Sequence, residues 1–180
     1  MGTMAKVRIN RFLASTGAIS RRKADEFIES GRVRINGRKA QLGDNVDPDR
    51  DVVMLDHKTV SRQDPLLVGM YKPRYVLTTM DDPLGRPCIK DLIPKKLLGV
   101  FPVGRLDFDA EGLLILTNDG DLSHALHHPS FRVPKVYLVR VSPRAASESI
   151  RQLEEGVFLD GKKTLPAKVK EERADPEGST

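Results

Sequence analysis

A break in the apolar patterning limits how this chain can fold more than any other feature. Hydrophobic residues recur with helical or strand spacing up to Asp56, lapse through the polar, turn-prone stretch His57 to Pro65, and resume at Leu66. A stretch without periodicity offers no face to a packed core, so it reads as a linker. The 180 residues then divide into a small module, residues 6–62, and a larger domain, residues 66–180, each long enough for its own core. Met1 to Ala5 carry no pattern and are set aside.

In the small module Ile9, Phe12 and Leu13 fall at helical spacing and end at Gly17, a residue suited to the left-handed conformation that closes a helix. Ser20 offers an N-cap hydroxyl to a second helix, whose stripe Ala24, Phe27 and Ile28 stops at Gly31. Val33 and Ile35 alternate with Arg32 and Arg34, and Asn36-Gly37 is the dipeptide that best tolerates a tight hairpin turn before Arg38 to Ala40. The expected order is helix, helix, hairpin.

In the larger domain Leu66 to Tyr71 and Val76 to Thr79 have strand character, and Asp82-Pro83-Leu84-Gly85 makes a turn. Leu113 to Thr117 is a continuous apolar run, expected as a fully buried strand with a tight turn at Asn118-Asp119-Gly120. A short helix is expected over Leu122 to His127. Lys135, Tyr137, Val139 and Val141 would share one face of a strand, and Ser142-Pro143 would open a helix that turns Ile150 and Leu153 inward and ends at Gly156. Strands and helices mix without regular alternation, so the class is α+β or mixed α/β.

Composition removes several kinds of function. The single cysteine, Cys88, cannot form an internal disulfide, and no Cys/His spacing suggests zinc. His124, His127 and His128 cluster without a carboxylate of obvious reach, which argues against a metal there. Hydrophobic residues make up 39%, no apolar run approaches the ~18 residues of a membrane span, and the start lacks the apolar stretch of a secretion signal. A cytoplasmic protein without metal or cofactor is expected. The formal charge of +5 favours a polyanionic partner.

That charge is concentrated. Arg21, Arg22 and Lys23 sit in the first turn of the second helix, with Arg8, Arg11, Arg32, Arg34 and Arg38 nearby in sequence. Outward-pointing amides and the helix dipole already favour phosphate there, and guanidinium groups add bidentate contacts. A solvated face kept for solubility would have the same composition. The order Phe12-Leu13-Ala14, Gly17, Ser20-Arg21-Arg22-Lys23-Ala24, Ile28, Gly31-Arg32-Val33 and Asn36-Gly37 resembles the S-four type RNA-binding domain, named from a ribosomal protein, over roughly residues 6–56. That resemblance implies binding to structured RNA through shape and phosphate, with Arg8, Arg11, Ser20, Arg21, Arg22, Lys23, Arg32, Arg34 and Asn36 as the candidate contacts.

The segment Gly104-Arg-Leu-Asp-Phe-Asp-Ala-Glu-Gly112 is an acidic loop beside an arginine. As a calcium loop beginning at Asp107 it fails, because its last ligand position is Asn118 rather than a bidentate glutamate and apolar residues occupy the positions after Gly112. An Arg105–Asp107 ion pair and a nucleophilic carboxylate oriented by Arg105 both remain open on the residues alone.

Gly104-Arg105-Leu106-Asp107, followed by Glu111-Gly112-Leu-Leu-Ile-Leu-Thr-Asn-Asp-Gly120, resembles the signature loop of the RsuA family of ribosomal RNA pseudouridine synthases. Tyr71-Lys72-Pro73, Asp82-Pro83-Leu-Gly-Arg-Pro87, His128-Pro129 and Lys135-Val136-Tyr137 agree, and a small RNA-binding domain precedes the catalytic one in that family. The resemblance implies an α+β fold with a mixed, mainly antiparallel sheet. It implies Asp107 as nucleophile toward a uridine flipped out of its RNA, Arg105 filling the vacated space or holding Asp107, and Tyr137 stacking on the base or acting as general base. It implies a monomer that takes ribosomal RNA, with the large subunit favoured, and neither DNA nor membrane. A non-catalytic RNA-binding protein that kept the fold is the alternative. Two departures stand out. Ala110 replaces a hydroxyl residue common in the family. Relatives also continue past the equivalent of Lys170 into strands that complete the cleft, whereas Glu171 to Thr180 is polar, so a shortened catalytic domain is expected.

Overall fold

The structure is a computed structural model that describes residues 6–17, 19–97, 99–172, 174, 175, 178 and 179. It divides into two compact units, Met1–Val133 and Pro134–Thr180.

The first unit begins with a short strand β1 (Val7–Arg8) that runs straight into helix α1 (Ile9–Ser15), followed by α2 (Arg21–Glu29). Helix α1 buries Ile9, Phe12 and Leu13, and Gly17 closes it with φ 72°. Ser20 caps α2 by accepting a hydrogen bond from the Lys23 amide at 3.3 Å, and α2 turns Ala24 and Ile28 inward. These are the two helices that the spacing predicts.

Strands β2 (Val33–Ile35) and β3 (Arg38–Lys39) follow as the expected hairpin. Asn36 and Gly37 both have positive φ, 49° and 84°, the conformation of a type I′ turn that matches the twist of the flanking strands. Asn36 pays for its left-handed backbone with two side-chain bonds: its amide donates to Asp51 at 2.8 Å and its carbonyl accepts from the Val52 amide at 2.8 Å. Strand β4 (Asn45–Val46) pairs with β1. Strand β5 (Val53–Leu55) pairs with β2, and β6 (Lys58–Thr59) pairs with β5 around a second turn at Asp56 and His57. The linker is therefore shorter than the loss of periodicity suggests, because its first residues satisfy their backbone groups against β5. Helices and strands together enclose Ile9, Phe12, Leu13, Ala24, Ile28, Val33, Ile35, Ala40, Val46 and Val53.

The rest of the unit is built on β7 (Leu67–Lys72), α3 (Ile89–Leu92), β8 (Phe101–Val103), β9 (Gly112–Thr117) and α4 (Gly120–His127). The three strands form an antiparallel sheet in the order β7-β9-β8. Val68, Met70, Leu114 and Leu116 pack on one side with Ile89 and Val100. The other side stays open, so Leu113 is 71% exposed and burial alternates from Leu113 to Leu116, with Thr117 buried at the strand's end, instead of the run being fully enclosed. Val76 to Thr79 is not a strand; it makes an isolated parallel bridge between Leu77 and Cys88. The turn at Asp82 is present, with the Gly85 amide donating to the Asp82 carbonyl at 3.1 Å.

Asn118-Asp119-Gly120 works differently from a tight turn. Asp119 caps α4 by accepting from the Asp121 and Leu122 amides at 2.8 and 3.2 Å. Asn118, 8% exposed, bridges back to the start of β7: its side-chain oxygen accepts from the Leu66 amide at 2.8 Å and its nitrogen donates to the Asp64 carbonyl at 2.9 Å.

The second unit holds helix α5 (Ser147–Glu155) and two small hairpins, β10 (Phe158–Leu159) with β11 (Lys162–Lys163), and β12 (Ala174–Asp175) with β13 (Gly178–Ser179). The strand expected over Lys135 to Val141 is absent, since 132–140 carries no strand pairing. Alternation makes a strand only where a neighbour completes its backbone hydrogen bonds, and Val136, Leu138 and Val139 are all exposed. The helix expected from Ser142-Pro143 begins at Ser147, and Gly156 ends it with φ 88°.

All the named ladders among the described residues are antiparallel. With separate helices and sheets the fold is α+β.

Candidate active site

The acidic loop leaves β8 at Gly104 and enters β9 at Gly112, so both ends are fixed in one sheet. Leu106 packs against the core below the sheet, while Arg105 and Asp107 on either side of it are exposed. No ion pair joins either of them to another described residue. The Arg105–Asp107 pair that the spacing allows is therefore not formed, and both charges face solvent.

The loop's main chain is gripped from Leu106 to Ala110 by the last residue of β7 and the segment that follows it. Thr78 Oγ1 donates to the Leu106 carbonyl at 2.6 Å and accepts from the Leu106 amide at 3.2 Å. The Tyr75 amide donates to the Phe108 carbonyl at 2.6 Å, and the two rings meet edge to face with centroids 5.7 Å apart. Arg74 Nε donates to the Asp109 carbonyl at 2.8 Å, and Lys72 Nζ donates to the carbonyls of Ala110 at 2.8 Å and Pro73 at 3.0 Å. Between Leu106 and Ala110 the one other carbonyl, that of Asp107, accepts from the Ala110 amide at 3.2 Å. Ala110 thus holds its place through its backbone, and a hydroxyl there is not needed to fix the loop.

Lys72 is fully buried. Burial pulls its ammonium below the ordinary lysine range, and the carboxylates of Asp109, Asp107 and Glu111 partly restore it. Glu111 in turn raises the Tyr71 phenol. A buried cation under three carboxylates gives the loop a fixed positive floor while the carboxylates point outward.

Beside Arg105 lies an open cleft of about 280 Å³, lined also by Leu77, Thr78, Thr79, Asp81, Asp82 and Arg86. Arg86 grips Asp82 with two side-chain bonds, Nη2 at 2.8 Å and Nε at 3.2 Å. That pairing, with the Arg86 amide, holds the Asp82 carboxyl down to about 2. Tyr137, the third expected catalytic residue, belongs to the second unit, where it is exposed. His128, read as a loop residue, accepts from the Ser130 amide at 3.3 Å. Its ring lies 4.7 Å from that of His124.

The basic module sorts its cations by what they already hold. Arg8 donates to the Gly43 carbonyl at 2.6 Å and Arg34 to the Gly37 carbonyl at 2.8 Å. Arg32 is bidentate to Asp56 and stacks 3.8 Å over the Phe27 ring, which lowers the Asp56 carboxyl. Arg11 pairs with Asp121 of α4, and Lys23 with Glu26 at 2.6 Å. Ser20 and Asn36 are committed to the helix cap and the hairpin turn. Arg21 and Arg22 are exposed and make no ion pair with any described residue, at the helix end where phosphate is most favoured.

Residue identity alone missed Thr78, Arg74 and Asn118. Lys72 left a signal: in a strand it shares parity with Val68 and Met70, which places it on the buried face.

Two family models match the chain, one described as RNA pseudouridylate synthase over residues 67–179 and one as the S4 domain over residues 7–52. The chain belongs to the RNA pseudouridylate synthase family. Among its relatives is a protein of Aquifex aeolicus, described as an uncharacterized RNA pseudouridine synthase, which is 43% identical over 159 residues, or 87% of this chain and 64% of that protein. Ribosomal large subunit pseudouridine synthase B of Bacillus subtilis is 38% identical over 164 residues, covering 91% of this chain and 67% of its own length. The chain thus spans about two thirds of the length of these synthases. A crystal structure of a pseudouridylate synthase superposes with a TM-score of 0.55 at 24% identity, over 96% of this chain and 75% of that one, which shows the shared fold.

Proposed function

We propose that this protein isomerises a uridine of ribosomal RNA, in the large subunit, to pseudouridine. One observation carries the reading: the Asp107 carboxylate stands exposed, without an ion pair to any described residue, on a loop whose main chain is fixed from Leu106 to Ala110. A carboxylate held this way meets the need of a nucleophile, which must reach its target without losing binding energy to loop ordering. The large subunit is favoured because a relative that acts there is 38% identical.

Asp107 attacks the flipped nucleotide at the base or at the sugar carbon C1′. Either way a bond from the Asp107 carboxylate to the nucleotide forms, the N1–C1′ bond breaks, the uracil turns, a C5–C1′ bond forms, and the bond to Asp107 breaks to free the carboxylate, while C5 gives up its proton and N1 gains one. Atoms and electrons balance within the nucleotide. Arg105 fills the gap left in the RNA or steadies Asp107, and Tyr137 stacks on the base or takes the C5 proton. The S4 domain supplies phosphate contacts through Arg21 and Arg22, and the protein acts as a monomer in the cytoplasm.

The test is to incubate the protein with ribosomal RNA transcripts and map pseudouridine by carbodiimide-blocked primer extension. The wild type is expected to give a discrete stop and Asp107→Ala none. Modification that survives Asp107→Ala would end the nucleophile assignment.

A further inference from the structure

We infer that Thr78 is a positioning residue for the reaction, acting through Leu106 on both Arg105 and Asp107. The inference rests on the synthase reading for its kinetic part only. One hydroxyl serves both backbone groups of Leu106, donating to its carbonyl at 2.6 Å and accepting from its amide at 3.2 Å. The Leu106 side chain meanwhile packs, half-buried, against the core. With its side chain and both main-chain polar groups committed, this residue has no freedom to rotate, so its two neighbours must leave on the solvent side.

Thr78 is itself anchored. Leu77 accepts from the Ile89 amide at 2.9 Å and donates its own amide to the Pro87 carbonyl at 2.9 Å, and Ile89 is fully buried. The hydroxyl is therefore fixed relative to the core rather than carried on a free loop. Thr78 also lines the cleft beside Arg105, which places the clamp between the cleft and the nucleophile. The other grips on the loop, from Lys72, Arg74 and Tyr75, act beyond Asp107 at Phe108 to Ala110. Thr78 alone among these holds the residue between the two functional side chains. A shift of about 1 Å in a reacting group costs roughly 100-fold in rate, so the clamp matters to turnover more than to binding.

Three variants separate the possibilities: Thr78→Val keeps the shape and loses both bonds, Thr78→Ser keeps the hydroxyl, and Thr78→Cys keeps the size with a weaker donor and acceptor. Thr78→Val is expected to lower kcat about 100-fold with KM and RNA affinity within about threefold of wild type. Thr78→Ser is expected to stay near wild type and Thr78→Cys to fall between. Hydrogen exchange read by NMR gives a second measure that needs no activity: the Leu106 amide should be protected in wild type and Thr78→Ser and exposed to exchange in Thr78→Val. If Thr78→Val does not fold, Thr78→Cys against Thr78→Ser decides by the same measures.

A Thr78→Val enzyme with wild-type kcat overturns the inference. So does a Thr78→Ser enzyme as impaired as Thr78→Val, or a loss expressed in KM and RNA affinity instead of turnover. If the wild type makes no pseudouridine, the synthase reading fails, while unaltered Leu106 protection in Thr78→Val would reject the clamp independently.

Discussion

The two parts of the first unit are stabilised by different means. Residues 7–60 close around an apolar cluster to which both helices and strands β2, β4 and β5 contribute, from Ile9 to Val53. The three-stranded sheet that follows has a smaller fully buried set, Ile89, Val100, Leu114 and Leu116. It makes up the difference with side chains that bind main chain across long sequence separations. Asn118 reaches Asp64 and Leu66, Thr117 Oγ1 donates to the Leu66 carbonyl at 2.6 Å, Lys72 reaches Ala110, and Thr78 reaches Leu106. Apolar burial is non-directional and tolerates small shifts, whereas hydrogen bonds to main chain set position. The part proposed to bind is packed, and the part proposed to react is pinned.

If that contrast is right, the largest loss of stability should come from the packed part. Leu13→Ala opens a cavity at a side chain with no exposure and should cost about 2–5 kcal/mol, read as a shift in the urea midpoint of the S4 domain and a loss of RNA affinity. A loss below 1 kcal/mol would mean that the module is held by something other than its core.

Next comes the pinned part. Asn118→Ala removes both bonds to the start of β7, one from the half-buried Leu66 amide and one to the carbonyl of exposed Asp64, and at about 0.5–1.5 kcal/mol for each bond should cost about 1–3 kcal/mol. Denaturant unfolding followed by a probe in the sheet would measure it. An unchanged midpoint would show that the sheet does not depend on its polar bridges.

Lys72 gives a sharper test because its sign is fixed. Its ammonium titrates below the ordinary lysine value of 10.5 in the fold, so the unfolded chain binds more protons between the two values. The cost of burying this group is therefore greatest below its folded-state titration and fades as pH rises toward 10.5. The urea midpoint of wild type should gain on that of Lys72→Met between about pH 7 and about pH 10. A parallel pair of curves would place the ammonium in solvent.

The smallest effect on folding belongs to Arg21 and Arg22. Replacing both with alanine should move stability by no more than about 0.5 kcal/mol while reducing the slope of log affinity against log salt by about 2. An unchanged slope would remove the two residues from the RNA interface.

The same contrast explains what the sequence reveals and what it hides. Ile9-Phe12-Leu13, Ala24-Ile28 and Val33-Ile35 announce their elements because burial in the small module follows local periods. Asn36-Gly37 announces its turn because few other pairs tolerate two positive φ values. The sheet's bridges follow no period: nothing about Thr78 or Asn118 in isolation says that a partner lies 28 or 52 positions away. Lys135 to Val141 shows the converse, a strand-like alternation in which 135–140 carries no strand pairing among the described residues. For the site, the motif around Asp107 was legible, but the absence of an Arg105–Asp107 pair and the grip by Lys72, Arg74, Tyr75 and Thr78 needed coordinates.

Among the described residues the grip on the loop between β8 and β9 is on carbonyls and one amide, not on the side chains of Asp107 or Asp109. Shape and chemistry are thus inherited separately here. Residues 105, 107 and 109 can be exchanged without asking the loop to be rebuilt, much as a tool holder accepts a new bit. Such a site can change what it does to a nucleotide by single substitutions, and a laboratory search for new reactivity on this chain should begin at those positions and leave Lys72, Arg74 and Thr78 untouched.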